Sequence, residues 1–98
     1  MATSKEFHDY VLFDVFQDNK AITSKKMMGE YILYASGVIF GGLHDNRLLI
    51  RRDELSDRFF SGSSLVYPYQ GSKTLMYVVD IDDETKLRLF ADELFKNK

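Results

Sequence analysis

MMGEYILYASGVIFGGLHDNRLLIRR runs from Met27 to Arg52. Its apolar stretches EYILYA, VIFGGLH and RLLIRR are separated by Ser36-Gly37 and Asp45-Asn46. Ser, Gly, Asp and Asn suit the two-residue turns of β-hairpins, where left-handed backbone is needed. Strands joined so tightly run antiparallel. Upstream, the strand pattern begins at Ile22. ITSKKMMGEYILYAS therefore reads as one strand, with Gly29 marking a bulge or a close backbone approach. The whole stretch is expected to be a three-strand meander.

Helical periodicity flanks it. In TSKEFHDYVLFDVFQD, Phe7, Val11, Leu12, Val15 and Phe16 recur at helical spacing, and Thr3 with Glu6 fits a capping box. After the meander, DELSDRFFSGSS reads as a short helix, capped by Asp53 and ended by Gly62. LVYPY is an extended edge segment, because Pro68 cannot donate to a ladder. QGSK is a turn and TLMYVVDI a strand. DDETKLRLFADELFKNK is a terminal helix with acids first and lysines last, matching the helix dipole. Leu87, Phe90, Leu94 and either Leu89 or Phe95 form its apolar face. The order α-β-β-β-α-β-β-α predicts an α+β, two-layer fold with a mainly antiparallel five-stranded sheet.

Composition bounds the function. The chain has 98 residues, a length that predicts one domain over 1–98, and 45% of them are hydrophobic. The formal net charge is -2, which argues against binding nucleic acid through overall charge. The absence of Cys excludes disulfides, thiol nucleophiles and Cys-based metal sites. No apolar run is long enough for a bilayer, and MATSKEFHDY lacks the form of a signal peptide. The cytoplasm is the expected compartment.

The strand faces carry the functional reading. In EYILYA, Tyr31, Leu33 and Ala35 oppose Glu30, Ile32 and Tyr34. In TLMYVVDI, Leu75, Tyr77 and Val79 oppose Met76 and Val78. A sheet with one solvated face alternates apolar and polar; these strands do not. Both faces are thus expected to be at least partly covered. Helices cover one, and Ile32, Tyr34, Met76 and Val78 form a candidate homodimer face on the other.

Chemistry-bearing residues are sparse. His8 lies on the first helix and His44 beside Asp45 at a strand end; a His-Asp neighbour pair can orient an imidazole, but no nucleophile accompanies His44 in the sequence. Two histidines fall short of a metal set, and the acids of DIDDE sit where a helix needs N-capping. The glycines of GVIFGG match no phosphate-binding pattern and read as turn, bulge or close packing. No cofactor is expected. Lys25, Lys26, Arg47, Arg51 and Arg52 are the candidate contacts for a protein partner or nucleic acid, set against their reading as solvated edge charge.

SKKMMGEYILYASGVIFGGLHDNRLLIR resembles the N-terminal domain of the TfoX/Sxy family of bacterial competence regulators. The pattern is roughly K/R-x-M-F-G-E-Y-x-L-Y-x-x-G-x-x-F-G, then D-x-R-L and a basic residue. Met27, Gly29, Glu30, Tyr31, Leu33, Tyr34, Gly37, Phe40, Gly41, Asp45, Arg47, Leu48 and Arg51 take those places, with Lys25 or Lys26 before them. SKEFHDYVLFDV and YPYQGSKTLMYVV are similar to the family's first helix and a later segment. Met28 stands where an aromatic is usual, and TLMYVV lacks a proline often seen before the tyrosine. The longer regulators carry a C-terminal helical domain, so this chain reads as a stand-alone N-terminal domain. The resemblance implies a secretion-chaperone-like fold that commonly dimerises, and no catalytic residues. It makes Gly29 and Gly37 backbone devices and Tyr31, Leu33, Phe40 and Leu48 packing residues; Glu30 is expected to pair with Arg47 or Arg51 across strands. The favoured expectation is a non-enzymatic regulator or adaptor working by protein contact, on the transcription machinery among other targets. Direct nucleic-acid binding and a small-ligand or enzymatic site around His44 and Asp45 are the alternatives.

Overall fold

In the computed structural model, which describes residues 2–68 and 71–96, the chain reverses direction at Met28-Gly29. Met27 pairs with Glu30 across the turn, and both turn residues have positive φ, +53° and +84°. The segment read as one strand is therefore two, β1 (Ile22–Met27) and β2 (Glu30–Ala35). A single strand over residues 22–36 would span about 50 Å, longer than the 32 Å of the largest dimension of the molecule. Ser36-Gly37 turns into β3 (Val38–His44) and Asp45-Asn46 into β4 (Arg47–Arg51). All three turns hold both central residues at positive φ, the type I′ geometry whose twist matches that of the strands.

After β4 come α2 (Glu54–Phe60), β5 (Leu65–Val66), β6 (Met76–Val79) and α3 (Glu84–Lys96); α1 (Lys5–Asp9) precedes the sheet and continues into a π-helical turn at Tyr10–Val15. The sheet has six antiparallel strands in the order β1-β2-β3-β4-β6-β5. The architecture is α+β as expected, with one strand more than the five read from the sequence. Tyr69 and Gln70, within the expected extended segment and turn, and Asn97 and Lys98, at the expected end of the last helix, lie outside the described residues.

All the helices pack on one face of the sheet. Val11, Leu12, Val15 and Phe16 meet Phe60, Leu87, Phe90 and Ala91 over the inward residues Tyr31, Leu33, Leu43, Leu48, Ile50, Tyr77 and Val79. Phe90 is central, with ring contacts to Phe40, Phe59 and Phe60. Of the two candidates on α3, Phe95 packs against the core and Leu89 stays exposed. Asp53 caps α2 in a reciprocal box with Ser56. The first helix departs from its expected cap: Ser4, not Thr3, accepts from the Phe7 N–H, at 3.1 Å.

The π-helical turn leaves carbonyls without intrahelical partners, and α3 supplies one. Arg88 Nε donates to Val15 O at 3.2 Å and Nη2 to Asp14 O at 3.3 Å, while Glu84 Oε1 holds the same guanidinium at 2.8 Å. A charged donor to backbone carbonyls contributes on the order of 1 kcal/mol when half exposed. Arg88→Ala is expected to lower the melting temperature by about 5 °C; a thermal melt superimposable on that of the wild type would remove Arg88 as the link between these helices.

Candidate functional site

Alternation along the strands puts a second set of side chains on the helix-free face. β2 contributes Glu30, Ile32 and Tyr34. Glu30 pairs with Met27, Ile32 is matched across the sheet by the pairings Ile32↔Gly42, Gly42↔Leu49 and Leu49↔Val78, Tyr34 pairs with Ile39, and Arg51↔Met76 adds to the same face. The register shifts between Leu33 and Tyr34, which makes Phe40 the extra residue of a bulge. Ile39 consequently faces outward while Phe40 turns into the core.

A groove of about 760 Å³ lies over this open face. Ile32, Ile39 and Met76 give it an apolar lining, Met27 and Met28 close one end, and Pro68, Ser72 and Thr74 wall the other. Gly41 lies in its floor. At neighbouring Gly42 the His44 ring occupies the space a side chain would need: a Cβ there would stand 2.8 Å from His44 Nε2. Met28, at the tip of the first hairpin, is 97% exposed. The expectation that both sheet faces are partly covered holds for Leu49, which is fully buried on the open side; the groove beside it is open.

The polar side chains of the groove are held differently. Glu30 Oε1 accepts from Thr3 N at 2.9 Å and Thr3 Oγ1 at 2.7 Å, and the Asp45 N–H approaches both carboxylate oxygens at 3.3 and 3.2 Å. Burial alone would raise the Glu30 pKa, but these bonds hold it below its ordinary value. The pairing with Arg47 or Arg51 expected from the sequence is thereby replaced: Glu30 clamps the N-terminal segment onto two hairpin tips. Asn46 completes the clamp, accepting from Ser4 N at 2.8 Å and donating its own N–H to Thr3 Oγ1 at 3.2 Å. Burial pushes the His44 pKa down, opposed by the Glu30 charge and reinforced by Arg47. Burial thus favours the neutral ring.

The five basic candidates do not share a surface. Lys25, Arg47 and Arg51 project from the open face, whereas alternation places Lys26 and Arg52 on the helix side. Arg52 Nε lies 3.4 Å from Asp57 Oδ1, and the Tyr77 hydroxyl donates to the same oxygen. The Tyr77 bond and then Arg52 keep the Asp57 pKa low, and Asp57 raises that of Tyr77. Of the four residues read as a dimer face, Ile32 and Met76 line the groove, and Tyr34 and Val78 share its face.

One constellation escaped the sequence reading. His8 Nδ1 lies 2.8 Å from Asp9 Oδ1 and Nε2 lies 2.7 Å from Ser24 Oγ, with the ring stacked on Tyr31 at 4.2 Å. The order Ser-His-Asp is that of a hydrolase relay. Here its surroundings make it a tie between α1 and β1: Lys5 holds the other Asp9 oxygen at 2.8 Å, and the groove lies on the opposite face of the sheet. Only the pairing of residues 16 apart reveals it, and no local pattern announces that. Among the described residues no cluster of His, Cys, Asp or Glu could hold a metal ion, and no helix is long and apolar enough to cross a membrane.

The family model of the TfoX N-terminal domain matches residues 14–92. The chain belongs to the TfoX N-terminal domain family. Among curated proteins it is similar to an "uncharacterized 12.7 kDa protein in trpE 5′region" of Spirochaeta aurantia, 30% identical over 84 residues, which cover 86% of this chain and 72% of that protein. No solved structure matches it significantly. In this TfoX N-terminal domain the shared pattern is architectural. Gly29 and Gly37 take positive φ in turns, Tyr31, Leu33, Phe40 and Leu48 are buried, and Glu30 is the clamp.

Proposed function

We propose that this TfoX N-terminal domain is a non-enzymatic regulatory or adaptor protein of the cytoplasm, acting by contact with another protein on the open face of its sheet. One observation carries the reading: the helices are all spent on one face, and the other presents a groove of about 760 Å³ lined by Ile and Met side chains. Apolar surface of that kind gains free energy when covered, and a contiguous patch on a small domain marks an interaction site. The groove's own polar groups support binding over chemistry, since Glu30, the carboxylate whose charge reaches His44, is consumed by the clamp. The competence regulators that give the family its name supply the class of role, control of gene expression through a protein partner.

A photo-crosslinking residue at Ile39, in the groove, and another at exposed Leu89, on the helix layer, test this in cells. The expected result is one protein captured from position 39, not from 89, and lost when Ile32→Asp is added. Capture of nucleic acid from position 39 would instead favour the contact through Lys25, Arg47 and Arg51. Self-association through Ile32, Tyr34, Met76 and Val78 is the competing use of the same face. Light scattering over a concentration series, with Tyr34→Asp beside wild type, separates it: a dimer split by the variant into folded monomers assigns the face to a second copy.

A further inference from the structure

Resting on the reading of the open face as a docking surface, we propose that its occupant is an acidic amphipathic α-helix of a different protein. The charge on the face selects the sign. The chain as a whole carries net -2, yet this face is cationic. Arg51 lines the groove, Arg47 and Lys25 flank it, and none of the three charged groups has an ion-pair or hydrogen-bond partner among the described residues. The carboxylate lining the groove, Glu30, is already surrounded by three donors. A ligand that brings carboxylates finds unpaired guanidinium groups at the rim; a basic one meets like charge. The same argument weighs against a second copy, because a two-fold contact sets this cation set against itself.

Dimensions select the helix. Ile32 on β2 and Met76 on β6 stand three strand spacings apart, about 14 Å, and a helix with its side chains is about 10–12 Å across. Along the strands, the four-residue step from Met27 and His44 to Ile39 and Arg51 covers about 13 Å, or some nine residues of helix. An added strand would need a sheet edge, and this groove lies over the middle strands, where the ladders are already complete. The floor is low at Gly41, which lets a ridge of side chains come close. Met27, Met28 and Met76 give an adaptable lining of the sort that accepts helical ligands.

The test titrates the full chain, methyl-labelled at Met and Ile, with a synthetic peptide of about 15 residues. The peptide carries leucines at i, i+4, i+7 and i+11 flanked by glutamates, and a twin carries lysines for the glutamates. The acidic peptide is expected to shift the methyl signals of Ile32, Ile39 and Met76, to bind at least about tenfold more tightly than its twin, and to lose about tenfold in affinity with Arg51→Gln. Equal binding of the two peptides at this groove overturns the acidic partner while leaving the docking face intact. Shifts confined to other methyls, or none at millimolar peptide, overturn the helix in the groove. A single-stranded oligonucleotide that moves the same methyls more strongly overturns the protein occupant and with it the reading of the face.

Discussion

Gly41→Ala is expected to destabilise the domain by about 3 kcal/mol, which lowers the melting temperature by roughly 15 °C. The reason is space. Gly41 lies in β3 without a left-handed φ, but a Cβ built on it would stand 2.3 Å from Leu49 O and 3.3 Å from Ile50 Cα. Those atoms belong to β4, which is fixed on both sides by pairing with β3 and β6. They cannot retreat without lengthening two ladders. The neighbouring bulge sharpens the constraint, since Phe40 must turn inward against Phe16 and Phe90 while Ile39 turns out. Gly62→Ala is the internal control. Nothing lies within 4 Å of its Cβ position, and loss of unfolded-state freedom should leave it neutral or stabilised by up to about 1 kcal/mol. Urea denaturation of both variants measures the difference. Equal midpoints for Gly41→Ala and wild type would mean that the sheet yields at β4, and the groove floor would then be plastic.

Much of this architecture is written locally. The stripe of Val11, Val15 and Phe16, the Asp53 cap, and the turns at Ser36-Gly37 and Asp45-Asn46 each follow from residue type at fixed spacing, and each is found in place. The non-alternating strands also foretold a second apolar face, and the groove lies on it. What escaped was decided by distant partners. Met28 is a poor residue for positive φ, so Met28-Gly29 gave no hairpin signal; the pairing of six residues on each side imposes it. Thr3 had the chemistry of a cap, yet a carboxylate 27 residues away claims its hydroxyl and leaves the cap to Ser4. The basic residues were legible as charges. The separation of Arg52 from Arg47 and Arg51 follows from alternation along one strand, whereas the faces of Lys25 and Lys26 were not legible, because they depend on the register of β1, which the extra turn sets.

Glu30→Ala is expected to cost about 2 kcal/mol, or on the order of 10 °C in melting temperature. The carboxylate receives Thr3 N and Oγ1 and the Asp45 N–H. Its loss strands the hydroxyl donor of the buried Thr3 and loosens the segment before α1 on the two hairpin tips, where the bonds from Thr3 N to Gly29 O at 3.1 Å and from Ser4 N to Asn46 Oδ1 at 2.8 Å remain. The effect is pH-dependent with a definite sign. The folded-state pKa of Glu30 lies below its ordinary 4.5, so the clamp contributes fully above that value and is lost as the pH falls through the lowered folded pKa. Wild type and Glu30→Ala should therefore differ most near neutrality and converge in acid, while Glu30→Gln, which keeps an acceptor oxygen without the charge, falls between them. Melting temperatures from pH 7 down to pH 3 test this; a gap that stays constant over that range would show that the carboxylate's charge does nothing and that only the side chain's packing holds the N-terminal segment. The groove gives the clamp its significance beyond stability. Glu30 and His44 lie on adjacent strands at one end of it, and pairing Glu30 with Thr3 leaves Arg51 in the groove, with Arg47 and Lys25 beside it, available to a partner. A Glu30→Ala protein that remains folded at low temperature should accordingly keep its affinity for an acidic helix, which separates the residue that builds the face from the residue that reads the ligand.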